Sequence, residues 1–290
     1  MRLAAAIYNG RRVFGEVRGD YLYIIGEGDL RSYIESVGEP KGEAIRISEI
    51  QLKPPLINYV ICVVVNSPKM LGHEDPIEAR RDLRHPRFTI KTPNTLIGCG
   101  EDIRAPRGGI RPEVEIALIT KRKIRGVPDM ERDILGYTVF NDITAPALAS
   151  DDAYYAYRRD PATGEIRREY IRGAPFIRKN IDTLGPIGPW VVTPDEFGDF
   201  RGKEMYSIFD GEYVQKGSSD ELIFDNREVL SYLSRIMTIE PGTIVSLGSI
   251  GYLGGSRDQS EYKLPEREGL LEVGVKGIGR LSNRVTIIDL

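Results

Sequence analysis

The clearest helical signal in this chain is a single stretch, NREVLSYLSRIM at 226–237, with apolar residues near i, i+3, i+4 and i+7 and a Pro-Gly pair shortly after its end. Most of the remainder consists of short β-branched and aromatic runs cut by glycine, proline and asparagine: LAAAIY, VFGEV, YLYII, FTIKTPN, RPEVEIALIT and ILGYTVFND. One clear helix among many strands lacks the regular β and α alternation that a doubly wound sheet needs. The expected fold is therefore mostly β or α+β.

Breakers suggest the organisation. Strands joined by turns over residues 1–53 predict a small β-rich N-terminal domain, and KPP at Lys53 to Pro55 marks the start of a second unit over 54–290. Its first element, YVICVVV (59–65), has the composition of a strand buried on both faces. A short helix is expected over Pro76 to Leu83, and the connection KRKIRGVPDMERD is expected to be exposed. The polar stretch 150–177, with four tyrosines and many arginines, predicts an excursion or lid. No repeat recurs at a fixed period.

Composition excludes several function classes. The 40 basic and 43 acidic residues leave a formal charge of -3, so no sign excess points to nucleic acid or a membrane surface. No apolar run reaches the roughly 18 residues of a span, and MRLAAAIYNGRR lacks a signal-peptide core, which predicts a soluble cytoplasmic protein. Cys62 and Cys99 have no metal-type spacing and are expected as buried thiols. Twenty-nine arginines against three glutamines resemble the balance that thermophilic chains favour.

The chemistry lies in RPEVEIALI, residues 111–119. In a strand Glu113, Glu115, Ala117 and Ile119 share one face while Val114, Ile116 and Leu118 share the other, so two carboxylates enter an apolar segment together. Unpaired, each would cost several kcal/mol of lost hydration. Either an arginine or lysine sits beside them, or a hard divalent cation does. Asp142, closing GYTVFND, reaches the same place if the two strands pair, although register is not readable from one sequence.

The ordered set E-x-E, GYTVFND, KNIDTLGPIGPW and IMTIEPGTIVSLGS, across about residues 57 to 285, resembles the fumarylacetoacetate hydrolase superfamily. The resemblance implies a mixed β-sandwich roll after a small N-terminal domain, a homodimer, and Mg²⁺ or Mn²⁺, with Ca²⁺ as another occupant, held by Glu113, Glu115 and Asp142. It places Lys179 and Thr183 of KNIDT near the metal and substrate, and Gly248 and Ser249 of LGS at the substrate carboxylate. The implied chemistry acts on 2-oxo acids and β-dicarbonyl acids through a metal-stabilised enolate, by C–C hydrolysis, decarboxylation or isomerisation.

Two departures mark the chain as divergent. Where hydrolytic members carry N-Y-x-x-H, this sequence has NSPKM at 66–70, so Ser67 and Met70 replace the tyrosine and histidine. His73 and Glu74, three residues later, are the candidate substitute for the water-activating pair. After Asp142 the family's Arg and Gln are replaced by Pro146 and Ala149, and Tyr154, Tyr155, Tyr157, Arg158 and Arg172 of the excursion are candidate replacements. FTIKTPNTLIGCGEDI also resembles the 2-keto-3-deoxyarabinonate dehydratase branch, which implies dehydration of a sugar acid with Lys91 lining the site. The missing residues motivate a further alternative, a non-catalytic metabolite-binding member. Glycine fingerprints for nucleotides, a G-x-S-x-G elbow and zinc spacing are absent.

Overall fold

The alternating runs do pair as strands. The computed structural model describes residues 1–35, 42–254 and 257–290. Among them, a twelve-stranded mixed sheet runs in the order Ala44–Arg46, Tyr21–Glu27, Arg11–Arg18, Arg2–Tyr8, Gly185–Val192, Ile134–Asn141, Val114–Thr120, Ile244–Ser249, Val60–Val63, Phe88–Lys91, with two short strands pairing off this path. A five-stranded sheet, Glu212–Ser218, Glu204–Phe209, Gly269–Val275, Gly279–Ile288, Ile103–Pro106, packs over part of it. The result is the mostly β, α+β architecture that the punctuation predicts.

The central Val114–Thr120 strand shows why the site lies where it does. Val114, Ile116 and Leu118 pack toward Met205, Val273 and Leu281 of the smaller sheet and toward Val229, Leu230 and Leu233 of the Asn226–Ile236 helix. Ala117 and Ile119, on the opposite face, join Leu3, Phe14, Leu30 and Ile244. Both faces are dry, so any charge carried by this strand is buried with it.

The helix ends within a residue of its expected span and begins with a reciprocal cap: Asp225 accepts from the Glu228 N–H at 2.8 Å, and Glu228 accepts from the Asp225 N–H at 3.0 Å. The Pro76–Leu83 helix is present, capped by Asp75. N-terminal strands enter the large sheet where Arg2 and Leu3 pair with Val192 and Val191, and a helix at Leu30–Glu35, unmarked by periodicity, buries Leu30 and Tyr33.

Three local expectations change. YVICVVV contracts to Val60–Val63, and Tyr59, just before the strand, is exposed. Cys99 is half-buried rather than buried. The charged connection is anchored, since Ile124 is buried and bridges to Ile239. The excursion folds into the hairpin Ala153–Arg159 and Ile166–Arg172, with Ala153 opposite Arg172. No described helix is long and apolar enough to cross a membrane.

Candidate metal centre

Strand pairing assembles three carboxylates. Val114 faces Asn141 in the antiparallel pair, which sets Glu113 and Asp142 side by side just past the strand ends, and the Asp142 N–H donates to the Glu113 carbonyl at 3.0 Å. Glu115 stands opposite Ser249 on the other neighbouring strand. One oxygen from each of Glu113, Glu115 and Asp142 lies within 4.8 Å of the others, and the three residues are 4%, 2% and 1% exposed.

Cations answer only part of this charge. Lys179 Nζ donates to Glu113 Oε2 at 2.8 Å and to Asp142 Oδ2 at 2.6 Å. Arg111 approaches Glu113 Oε1 at 3.3 Å, and Thr144 donates to Glu113 Oε2 at 3.3 Å. Burial pushes the Glu113 carboxyl up, but Lys179 and Arg111 outweigh it and hold the group below the usual range. Likewise Lys179 is raised although burial opposes its charge, because Asp142 and Glu113 favour the ammonium.

Glu115 is in the opposite condition. Among the described residues no cation pairs with it, and it accepts only the Gly248 N–H at 3.2 Å. Burial, then Asp142 and Glu113, raise its carboxyl well above the ordinary value. Asp142 Oδ1 is buried without a hydrogen bond, with Lys91 Nζ 3.5 Å away. Lys91 is fully buried, donates to the Ile143 carbonyl at 2.8 Å and also to the Leu184 carbonyl, and is lowered by burial to about 8. Glu115, with one backbone donor, and Asp142 Oδ1, with no hydrogen bond, thus converge short of positive charge, which fits a Mg²⁺- or Mn²⁺-sized ion better than a site for zinc with its nitrogen and sulfur ligands.

Residues 59–286 match the family model for the fumarylacetoacetate (FAA) hydrolase C-terminal domain. The chain belongs to the fumarylacetoacetate hydrolase family. An uncharacterized protein of Pyrococcus horikoshii is 34% identical over 225 residues, 76% of this chain and 83% of the relative. The fold is shared with fumarylacetoacetate hydrolase from Exiguobacterium antarcticum, at TM-score 0.78 and 22% identity, covering 99% of this chain and 100% of that one. It is also shared with maleylpyruvate hydrolase from Sphingobium sp. SYK-6 in complex with manganese(II) and pyruvate, at TM-score 0.69 and 21% identity, with 99% of each chain covered.

Against the family pattern, the predicted residues divide. Lys179, Lys91 and Gly248 join the three carboxylates directly. Ser249 is adjacent, but its hydroxyl donates to the Val114 carbonyl at 2.9 Å and accepts from Gln215 Nε2 at 2.9 Å. Thr183, at φ +71°, accepts the Arg104 N–H at 2.8 Å, and no described contact links it to the carboxylates. His73 and Glu74 line a separate cavity of about 750 Å³ together with Lys69 and Gln259. His73 is 3.0 Å from Asp82 through Nε2 and 3.9 Å from Glu78 through Nδ1, and Glu74 is exposed.

Several supports had no clear sequence signal. The Asp152 carboxylate accepts the N–H groups of Phe176, Ile177 and Arg178 at 3.0, 2.7 and 3.3 Å, which fixes the turn that delivers Lys179. Gln215, from the smaller sheet, accepts the Val114 N–H at 3.0 Å and donates to the Ile250 carbonyl at 2.7 Å, between the two strands that carry Glu115 and Gly248. Gly248 is required by space: at φ +88° a Cβ would lie 2.6 Å from that of Asn66. Arg111, two residues before Glu113, is the one support whose place in the sequence could have pointed to it.

Proposed function

We propose that this family member is a Mg²⁺- or Mn²⁺-dependent enzyme acting on a small 2-oxo acid or β-dicarbonyl acid, by C–C bond hydrolysis, decarboxylation or isomerisation. The observation that carries the reading is the buried carboxylate trio, in which, among the described residues, Glu115 has no ion-pair partner and one backbone donor, and Asp142 Oδ1 accepts no hydrogen bond. Bound by Glu113, Glu115 and Asp142, the ion would supply Lewis acidity toward a 2-oxo oxygen and stabilise enolate charge. Membership of the family and the manganese and pyruvate in the maleylpyruvate hydrolase structure support this choice.

The chain's own groups would divide the work. Lys179 keeps Glu113 and Asp142 anionic and presents the only buried ammonium that bridges both among the described residues. Arg111 fixes one oxygen of Glu113, and the Gly248 N–H orients Glu115. His73, oriented by Asp82, is the proposed proton carrier in the separate cavity that it lines with Glu74. Gly248, Ser249, Thr183 and Lys91 remain the proposed substrate side, and a homodimer the proposed assembly.

A second reading is dehydration of a 2-keto-3-deoxy sugar acid, favoured by Lys91, whose ammonium reaches the carboxylate centre instead of a strand edge. Turnover of acylpyruvates, oxaloacetate and 2-keto-3-deoxy sugar acids with Mn²⁺, in the native chain and Glu115→Ala, separates the readings. Metal-dependent loss of an acylpyruvate or oxaloacetate, abolished in the variant, is the expected result. Turnover of the sugar acid alone selects dehydration. Mn²⁺ binding without turnover of any of them replaces catalysis with metabolite binding.

A further inference from the structure

On another surface of the molecule the chain builds a cavity of about 670 Å³ between the end of the Pro76–Leu83 helix, the loop at 125–127 and the Asn226–Ile236 helix. Its charge is the reverse of the chain's. Arg80, Arg84, Arg125 and Arg235 line it against a single carboxylate, Glu228, and that carboxylate is already occupied by Arg80 at a charge-assisted contact of 2.5 Å and by its helix cap. Among the described residues, Arg84, Arg125 and Arg235 take part in no ion pair. In a protein of net charge -3, three guanidiniums without a carboxylate partner around one hollow, Arg125 also donating to the Ser234 carbonyl at 3.1 Å, concentrate positive potential where an anion would collect.

Two further features show that this wall is built. Arg84 has φ +64° and ψ -50°, and the His85 N–H donates to the Leu83 carbonyl at 2.8 Å. That is a γ-turn in its rare form, strained for any residue with a side chain, and it sets Arg84 and His85 at the cavity. Behind it, His85 stacks on Tyr232 at 4.9 Å between ring centroids, and the Arg235 guanidinium lies 4.8 Å from the same ring. With its ring engaged by both, Tyr232 serves to position the Arg235 guanidinium and the His85 ring rather than to stack a base.

We propose that this cavity binds a small phosphate-bearing anion, held by Arg84, Arg125 and Arg235 at a site separate from the carboxylate centre. Planar guanidiniums match phosphate oxygens in pairs, whereas a monocarboxylate would leave most of these donors unused. The inference does not depend on the catalytic reading.

Titration calorimetry of the metal-free chain with inorganic pyrophosphate, and with phosphate as the weaker probe, tests it. Expected are one pyrophosphate per chain, affinity that falls as salt rises, and at least roughly tenfold weaker binding in both Arg84→Gln and Arg235→Gln. Arg167→Gln, on the exposed hairpin, should bind as the native chain does. If Arg84→Gln does not fold, Arg125→Gln takes its place. Absence of binding, native affinity in the arginine variants of the cavity, or an equal loss in Arg167→Gln overturns the proposal.

Discussion

At the carboxylate centre Glu113, Glu115, Asp142, Lys179 and Lys91 are all 4% exposed or less, whereas the Ala153–Arg172 hairpin holds Tyr157 at 70% and Ile166 at 60% exposure with most of its arginines in water. The hairpin's charges pair locally, Arg167 with Glu165, or lie over rings, as Arg168 does over Tyr155 at 4.0 Å. Water can replace each of those contacts at little cost. In the centre water cannot replace a lost partner. Charge count alone, which is high in both regions, therefore says little about function; charge without access to water says much more.

Substitutions test this contrast in descending order of effect. Lys179→Met should cost the metal-free protein about 3–5 kcal/mol in urea unfolding, because Glu113 and Asp142 would remain buried without their ammonium. Added Mn²⁺ should recover part of that loss, since the ion supplies positive charge at the same oxygens. A variant as stable as the native chain would show that the centre is wetter than its burial indicates.

Gln215→Ala comes next. It leaves the Val114 N–H unpaired in a dry strand and removes the donor to Ser249, for an expected loss of about 1–3 kcal/mol in the same unfolding measurement. Smallest is Tyr157→Ala, which should shift unfolding by less than about 0.5 kcal/mol. A large effect there would mean that the hairpin packs against a partner surface, and would weaken the contrast.

Local chemistry explains which parts of this picture are legible in the sequence. Period-two alternation places Glu113 and Glu115 on one face, and the structure buries both. Periodicity also reveals the Asn226–Ile236 helix, and Asp75 followed by proline marks the start at Pro76. The contribution of Asp142 needs the register Val114 to Asn141, which only the folded pairing decides. Gln215 was beyond reach, because it comes from the second sheet and meets the centre only through long-range packing, and Lys91 was reached only through the family resemblance, since its strand lies at the sheet edge. His73 shows the same limit: sequence proximity suggests Glu74 as its partner, while the helix turns Asp82 to within 3.0 Å.

The central claim is that Glu113, Glu115 and Asp142 form a divalent-cation site completed by Glu115, and titration calorimetry of the metal-free chain with Mn²⁺ tests it most directly. One ion per chain in the native protein, and affinity weakened by roughly 100-fold or more in Glu115→Gln, is the predicted result. Native affinity in Glu115→Gln, or no Mn²⁺ bound by the native chain, would contradict it.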